Sequence, residues 1–310
     1  MSVTGLVGPA EMGITDAHSH LWIEPVAGAL PGAPVLNQRE LILAELGLYR
    51  RAGGGSVIDC QPGGCGRASR ALQSLSVDSG VRIVCCSGYH RQRYYGPDAW
   101  LWRAKTDEIQ AEFARELSLG TRETRGDPGT VRAGFVKAAL EASLAETPLA
   151  PLEAAARAAA ESGAALLIHT ERGLAVEDFL PGLLAWGVRP AQVILCHIDK
   201  RPDFGLHREL AKEGYLLEYD TFYRPLYDPE TNLWPLIQRM VADGWSANLA
   251  LATDMADSAL WRSFSGASVP GMAGILELIL PRLEQVGIQE TAIKAILGRN
   301  IANRLASFLD

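Results

Sequence analysis

The chain alternates short apolar runs with amphipathic or alanine-rich segments along its length, and this alternation constrains the fold more than any other feature. The apolar runs predict eight strands, at residues 13–21, 56–60, 82–87, 131–138, 164–169, 192–197, 215–219 and 248–253. The other segments predict helices at residues 38–51, 67–79, 106–119, 148–162, 175–186, 204–212, 230–243, 270–286 and 290–308. Near-continuous apolar strands that alternate with helices are typical of a parallel sheet covered by helices.

Eight strand and helix units predict an α/β fold of the closed (β/α)8 TIM barrel type. The length of 310 residues is ordinary for this fold, and the 48% of hydrophobic residues can fill a large core. Glycine-rich stretches at residues 53–55 and 62–66 indicate loops rather than domain boundaries. We therefore expect a single domain that spans residues 1–310.

Charge and cysteine content narrow the function class. A net charge of −7 disfavours nucleic acid and anionic membranes as partners, since both need a basic surface. The apolar runs are shorter than the roughly 20 residues that span a bilayer, and the first residues lack a signal-peptide pattern. Five irregularly spaced cysteines do not form a disulfide framework. We expect a cytoplasmic protein that acts on a small molecule.

A pair of histidines one residue apart, His18 and His20, predicts a metal site. Residues i and i+2 of a strand point to the same face, so one strand can aim both imidazoles at one ion. Alone, such a pair is equally compatible with a core or surface role. Further candidate ligands end other apolar runs, and they are Lys137, His169, His197 and Asp254. The active site of a TIM barrel lies at the carboxyl ends of its strands, so these side chains are predicted to converge.

These motifs together resemble the phosphotriesterase-related branch of the amidohydrolase superfamily. The resemblance runs from Leu-Val-Gly-Pro-Ala-Glu-Met-Gly-Ile-Thr-Asp-Ala-His-Ser-His to Ile-Leu-Gly-Arg-Asn-Ile-Ala-Asn-Arg-Leu, nearly the whole chain. It implies a hydrolase with two divalent metal ions. The more buried ion would be held by His18, His20, Lys137 and Asp254, and the more exposed ion by Lys137, His169 and His197. It also implies that Lys137 is a carbamate formed with carbon dioxide, because an ammonium group has no lone pair to offer.

The implied chemistry needs no serine or cysteine nucleophile. Two divalent ions share a bridging hydroxide whose pKa they depress, which gives a nucleophile at neutral pH. Asp254 is the expected catalytic proton acceptor, and it would pass the proton to the leaving group. Imidazole and carboxylate ligands suit zinc, with manganese, cobalt and iron as alternatives.

Three loops carry the candidate substrate contacts, at residues 61–67, 88–95 and 218–224. The candidate contacts are Cys65, Tyr89, His90, Arg91, Tyr223 and Arg224. Loops rich in Tyr, His and Arg can line a pocket and donate hydrogen bonds to an oxygen-rich ligand, although a loop packed by its own aromatic side chains is an alternative. The motifs Gln-Pro-x-Gly-Cys-Gly-Arg, Gly-Tyr-His and Glu-Tyr-Asp-Thr resemble the sugar-lactonase subgroup, which implies hydrolysis of a lactone ester.

The substrate is expected to carry no phosphate. Sugar-lactonase relatives that act on phosphorylated lactones place Lys, Arg and Tyr where this chain has Leu226, Asp257 and Leu260. A desolvated phosphate needs cationic partners, although Arg91, Arg224 or Arg262 could compensate. We therefore expect a small, hydroxylated, sugar-type lactone. The alternatives are a phosphotriesterase or carboxylesterase, or a non-catalytic metal- or ligand-binding relative. The resemblance also suggests a homodimer.

Four further polar residues have weaker signals. Asp199 follows His197 by two residues and could orient its imidazole. Glu171 and Arg172 are either a loop ion pair or substrate contacts. His207 lies in a helical pattern and is expected to be solvated.

Overall fold

The protein is an eight-stranded parallel barrel in a computed structural model that describes residues 1–174 and 176–306. The strands are β1 (Ile14–Ser19), β2 (Gly54–Asp59), β3 (Arg82–Gly88), β4 (Phe135–Ala139), β5 (Leu166–His169), β6 (Val193–Cys196), β7 (Leu216–Tyr219) and β8 (Leu249–Leu251). Each strand pairs in parallel with the next along the chain. The predicted (β/α)8 fold is confirmed.

The barrel closes between β8 and β1 through residues that follow the short last strand. The amide of Asp254 donates to the carbonyl of His18 at 2.9 Å. The amide of Thr253 donates to Asp16 Oδ1 at 3.0 Å, and the Thr253 hydroxyl donates to Asp16 Oδ2. The last and first strands are therefore joined by residues of the candidate site itself.

Helices cover the outside of the sheet. They are α1 (Arg39–Arg51), α2 (Ser69–Ser79), α3 (Thr106–Ser118), α4 (Leu149–Ser162), α5 (Val176–Ala185), α6 (Phe204–Glu213), α7 (Leu233–Ala242), α8 (Arg262–Ser265), α9 (Leu280–Gln285), α10 (Glu290–Lys294) and α11 (Asn300–Ala306). Residue 175 of the fifth predicted helix and residues 307–308 of the last lie outside the described residues. None of the helices within the described ranges is long and apolar enough to cross a membrane.

The last two predicted helices are each interrupted by a π-helical segment, at Ile275–Ile279 and Ala295–Arg299. The second interruption contains Gly298, which packs against the backbone before β1. A Cβ atom on Gly298 would lie 2.3 Å from the carbonyl oxygen of Gly13. Glycine is therefore required for this close approach, and the regular helix breaks there.

Strand boundaries differ from the prediction where the backbone finds other partners. Strand β4 starts at Phe135 instead of residue 131, because Val131 accepts from the amide of Thr121 and Ala133 donates to the carbonyl of Glu116, both outside the sheet. His20, His197 and Asp254 each lie just beyond a strand rather than within it. These positions leave their side chains free to turn toward the barrel mouth.

The apolar core has two layers, one between the sheet and the helices and one inside the barrel. Leu46, Ile109 and Ile237 belong to the outer layer, and Ile58 and Leu167 to the inner one. His207 is buried in the outer layer, contrary to the expectation that it is solvated. Its ring nitrogens lie 2.6 Å from the Tyr219 hydroxyl and 2.9 Å from the Arg201 carbonyl, so both are satisfied.

Candidate metal centre

A cavity of about 450 Å³ opens at the carboxyl ends of the strands. Five of its lining residues are His20, His90, His169, His197 and Asp254. His18 lies beneath the floor and is fully buried. The barrel thus brings the candidate imidazoles of β1, β5 and β6 to one place, together with the carboxylate that follows β8.

Two buried carboxylates fix the chain around the His18 and His20 pair. Asp59 accepts the amide of Leu21 at 2.7 Å, and Asp16 accepts the amide of His18 at 3.3 Å. Burial raises the pKa of both Asp16 and Asp59 to about 7. Because these bonds hold the backbone at the end of β1, they also set the direction of the two imidazoles.

The two imidazoles of β1 each use one ring nitrogen for a protein partner. His18 Nδ1 lies 3.2 Å from Glu218 Oε2, and His20 Nδ1 lies 2.6 Å from Gln61 Oε1. Gln61 presents its oxygen to His20 because its amide nitrogen donates to the carbonyl of Cys65. The Gln61 oxygen can only accept, which places the ring proton of His20 on Nδ1, and an ionised Glu218 places that of His18 on the same atom. Nε2 of each histidine then keeps its lone pair.

Each of the later histidines also bonds through one ring nitrogen, which is Nδ1 in His197 and Nε2 in His169. His197 Nδ1 donates to Asp220 Oδ2, and His169 Nε2 lies 3.5 Å from Glu171 Oε2. One ring nitrogen of each imidazole is therefore left for another partner. The sequence alone did not assign these roles to Glu218, Asp220 and Gln61, although the spacing of Glu218 and Asp220 places them on one face at the end of β7.

Burial keeps the candidate ligands in the form that binds cations. Burial and the Lys137 ammonium lower the pKa of His18 well below its usual value and that of His20 to about 3. Burial also lowers the pKa of His169 and His197. All four rings are neutral at pH 7, which leaves a lone pair on each.

Asp254 faces the free nitrogens of the first pair. Its Oδ1 lies 3.9 Å from His18 Nε2 and 3.8 Å from His20 Nε2. Its other oxygen accepts from Arg224. Burial opposes ionisation of Asp254, but His197 and Arg224 outweigh it and lower the pKa.

The ligand atoms of these side chains are arranged to fit a metal ion. His18 Nε2 is buried and has no hydrogen-bond partner among the described residues, an arrangement that is unfavourable unless something else satisfies it. One ligand atom from each of His18, His20 and Asp254 lies within 4.8 Å of the others. A cation among these three atoms would satisfy the nitrogen and the carboxylate together.

Two of the candidate ligands have a strained backbone. His197 and Asp254 have φ angles of 61° and 46°, in the left-handed region that non-glycine residues rarely adopt. Such residues persist where the surrounding structure holds them, and they cluster at functional sites.

Lys137 is fully buried on β4, and its ammonium donates to the carbonyl of Cys60 at 2.8 Å. In this form it has no lone pair for a cation. Neighbouring Gly88 of β3 has a φ of 99°, and a Cβ there would lie 1.9 Å from the Lys137 carbonyl oxygen. Glycine is therefore needed for β3 to approach β4 beside Lys137.

Four of the candidate substrate contacts line the cavity, namely Cys65, His90, Arg91 and Arg224. His90 Nδ1 accepts the backbone amide of Arg91 at 2.9 Å. The neutral His90 ring must then carry its proton on Nε2, which makes that atom a donor. Arg91 bonds to Glu141 at 2.7 Å and to Glu171, so Glu171 links it to His169.

The remaining two candidates do not reach the cavity. The Tyr89 hydroxyl is buried and donates to the carbonyl of Ala139 at 2.9 Å. Tyr223 packs near Phe222 and Gly274 beside a different surface cavity. Asp199 accepts the amides of Asp220 and Thr221, so it holds the loop that carries Asp220 instead of contacting His197 itself.

Comparison with known proteins places the chain in a family. The profile of the phosphotriesterase family matches residues 1–305. The phospho-furanose lactonase of Mycoplasmopsis synoviae is 26% identical, over 98% of this chain and 91% of its own length. The N-acetyltaurine hydrolase of Dictyostelium discoideum is 24% identical, over 86% of this chain and 72% of its own.

A solved structure shares the fold. The crystal structure of a lactonase from Listeria monocytogenes superposes with a TM-score of 0.88 at 22% identity and covers 98% of both chains. The family match, which spans nearly the whole sequence, agrees with the barrel and with the His and Asp cluster at its mouth. The chain therefore belongs to the phosphotriesterase family, and it is a metal-dependent hydrolase.

Proposed function

We propose that the protein is a lactonase that opens a small, hydroxylated, non-phosphorylated sugar-type lactone. One observation carries the proposal: four neutral imidazoles lie with Asp254 at the carboxyl ends of the strands. One ring nitrogen of each imidazole bonds to a protein group, and the other is left for a metal ion. Relatives named as lactonases in the same family support the substrate class.

The site is proposed to hold two divalent ions, with zinc as the first choice and manganese, cobalt or iron as alternatives. One ion would be bound by His18, His20, Lys137 and Asp254, and the other by Lys137, His169 and His197. When bound, the ions would activate water as a nucleophile and polarise the carbonyl oxygen of the ester. Lys137 would take part as a carbamate, because only that form has oxygens that reach both ions.

The side chains of the protein have distinct proposed roles. Asp254 accepts a proton at its carboxylate and returns it to the leaving oxygen. His90 donates a hydrogen bond from Nε2 to the substrate, since its Nδ1 is already occupied by the Arg91 amide. Arg224 holds Asp254 ionised, and Cys65 fixes Gln61 and so the ring of His20.

The absence of phosphate from the proposed substrate rests on the surroundings of the cavity. Leu226 and Asp257 do not line it, and Leu226 is 82% exposed. Both lining arginines already bond to carboxylates, Arg91 to Glu141 and Arg224 to Asp254. A phosphate dianion would need several unpaired donors when desolvated.

Metal analysis combined with an activity screen tests the proposal. We expect about two divalent ions per chain after reconstitution with metal and bicarbonate, and hydrolysis of lactones in preference to phosphotriesters and carboxylesters. The lactone should also be hydrolysed with a higher kcat/KM than its phosphorylated counterpart. One ion or fewer at saturation would contradict the binuclear site, and a preference for phosphotriesters would support the alternative activity. Metal binding without turnover on any substrate would support a non-catalytic relative.

Three properties of the whole protein are part of the same proposal. The chain forms a single domain over residues 1–310, it works in the cytoplasm, and it forms a homodimer. All five cysteines are free and buried, which suits a reducing compartment. Light scattering on the purified protein tests the dimer, which a monomeric mass at micromolar concentration would contradict.

A further inference from the structure

Lys200 is a cation at the cavity that the metal centre does not use. It ends a short turn, Ile198–Lys200, that follows β6 and the candidate ligand His197. Its side chain lines the same cavity as His169 and Glu171. Its charge also lowers the pKa of His169 and His197. The ammonium therefore lies on the side of the mouth formed by β5 and β6.

The Lys200 ammonium has no direct partner of opposite charge. No carboxylate oxygen of the described residues lies within 4.0 Å of it, and it lies 5.8 Å from the centroid of the Tyr227 ring. The two arginines that line the cavity differ, since Arg91 and Arg224 each bond to a carboxylate. Among the described lining residues, Lys200 is thus the cation without an ion pair.

The surroundings keep Lys200 charged although they do not pair with it. Burial opposes the charge, but Asp220 and Asp254 raise its pKa. Asp220 is bonded to His197, and Asp254 is bonded to Arg224. A largely buried ammonium without a hydrogen-bonded counter-ion is unfavourable, so its position favours a ligand with a negative charge.

The rest of the cavity limits the size and charge of that ligand. The wall contributed by residues 23–35, which follow β1, is apolar apart from Glu24, whose carboxylate accepts from Trp22 and Asn37. Its apolar members include Pro25, Val26, Leu30 and Pro34. The apolar side chains of this wall can pack against the carbon skeleton of a ligand, whereas the single lysine can pair with one negative charge. A dianion would leave its second charge near Asp254 and Glu171 without a partner.

From this arrangement we infer that the substrate is a lactone that carries one carboxylate, which Lys200 binds while the ester faces the candidate ligands. The inference rests on the proposed lactonase function and specifies its substrate class. Lys200 is then the residue that sets specificity for the acidic lactone.

Matched substrates and variants test the inference on the metal-loaded full-length protein. The substrates are an aldono-1,4-lactone, the aldaro-1,4-lactone with a terminal carboxylate, and the aldono-1,4-lactone phosphate. The variants are Lys200→Met, which removes the charge, and Lys200→Arg, which keeps it. Lys212→Met is the control, because Lys212 is 69% exposed on α6 and forms only a surface pair with Glu209.

Wild type should hydrolyse the carboxylate lactone with the highest kcat/KM. Lys200→Met should lower that value by about 10- to 100-fold through KM, the effect of losing one charge-assisted hydrogen bond. The same variant should change the value for the neutral lactone by less than about 3-fold, since no charged contact is lost there. Lys200→Arg should recover most of the loss, and Lys212→Met should match wild type.

Two results would overturn the inference. One is an equal loss on both lactones in Lys200→Met, which indicates a structural role. The other is a wild-type preference for the neutral or phosphorylated lactone. Failure of the lactonase proposal is distinguishable, because wild type would then hydrolyse none of the three compounds. In that case the role of Lys200 is still decided by calorimetry, which measures the binding of the open-chain dicarboxylate. If Lys200 binds the carboxylate, Lys200→Met should bind this compound more weakly than wild type does.

Discussion

Two groups of ionisable side chains in this barrel differ in how completely their atoms are paired. The first is the mouth cluster, defined as His18, His20, Lys137, His169, His197 and Asp254. The second is the arginine cluster, defined as Arg67, Glu116 and Glu123. In the arginine cluster the guanidinium bonds to both glutamates, with distances of 2.7 Å to Glu123 and 2.9 Å to Glu116. Its remaining bond goes to the carbonyl of Cys86.

The mouth cluster leaves atoms without partners. His18 Nε2 is buried without a hydrogen bond within the described residues, and the lysine beside the cluster, Lys200, has no ion pair. Charged groups that satisfy one another stabilise a fold, whereas a buried group that is left open favours binding something else. We therefore expect changes in the mouth cluster to alter metal content and turnover, and changes in the arginine cluster to alter stability.

The largest expected effect is on turnover in Asp254→Asn. An amide cannot accept the proton that a carboxylate accepts, so kcat should fall by about 10²- to 10⁴-fold. Metal content should fall less, because the amide oxygen is still a weak ligand. Parallel kinetics and elemental analysis check this, and equal losses of metal and activity would assign Asp254 to metal binding alone.

Lys137→Ala should remove most activity and lower the metal content. Loss of a partner that only orients a ligand already lowers metal affinity or activity about 10- to 100-fold, so loss of a bridging ligand should exceed about 100-fold. A short-chain carboxylic acid in the buffer should restore part of the activity by supplying oxygens. Full activity and metal content in the variant would contradict the carbamate.

Arg67→Met tests the other cluster. It leaves Glu116 buried without its counter-ion and removes the bonds of the partly exposed Glu123, and loss of the buried partner lowers the free energy of unfolding by about 3–5 kcal/mol. The folded fraction should keep its metal content and its kcat. Denaturant unfolding and metal analysis measure both, and a selective loss of metal would show that the two clusters are not separate.

A smaller effect is expected for His90. His90→Gln can place an N–H close to the position of Nε2, whereas His90→Ala has no donor there. Loss of one hydrogen bond to the substrate should lower kcat/KM by about 10-fold in the alanine variant, and the glutamine variant should lose less. Both should bind metal as wild type does. Identical losses in the two variants would exclude a donor role.

The pH dependence of stability gives the smallest and most specific test. Although burial opposes ionisation, the hydrogen bonds from Arg67 lower the pKa of Glu123 to about 2. A lowered carboxylate pKa stabilises the fold fully above the ordinary value near 4.5 and loses that effect as the pH falls through about 2. Glu123→Gln should flatten the stability curve over this interval. An unchanged slope between wild type and variant would exclude Glu123 as its source.

The fold and part of the site are accessible from the sequence because they follow periodic rules. Eight apolar runs predict the barrel, and the two-residue spacing predicts that His18 and His20 share a face. The same spacing rule applies to Glu218 and Asp220, but these lie in a motif that was interpreted as a substrate loop. Their partners on β1 and β6 are distant in sequence and become neighbours only in the closed barrel.

The directions of other side chains depend on local backbone geometry, which the periodicity of the sequence does not describe. His197 has a left-handed backbone and is followed by a tight turn, so the direction of Lys200 cannot be obtained from strand alternation. Tyr89 lies in a loop motif rich in polar aromatic residues, yet its hydroxyl finds a backbone carbonyl inside the protein. Residue type therefore indicated which loops lie at the mouth, but not which side chains enter the cavity.

The bond from the Asp254 amide to the His18 carbonyl joins the two ends of the sheet through two candidate ligands. An ion held by these side chains would also tie the first strand to the last, in addition to the bonds from Thr253 to Asp16. The two bonded residues are 236 positions apart in the sequence. Breaking the contacts between them separates the first strand from the last and opens the barrel. We expect amide hydrogen exchange at Asp254 to slow on metal loading and to report the opening of the barrel.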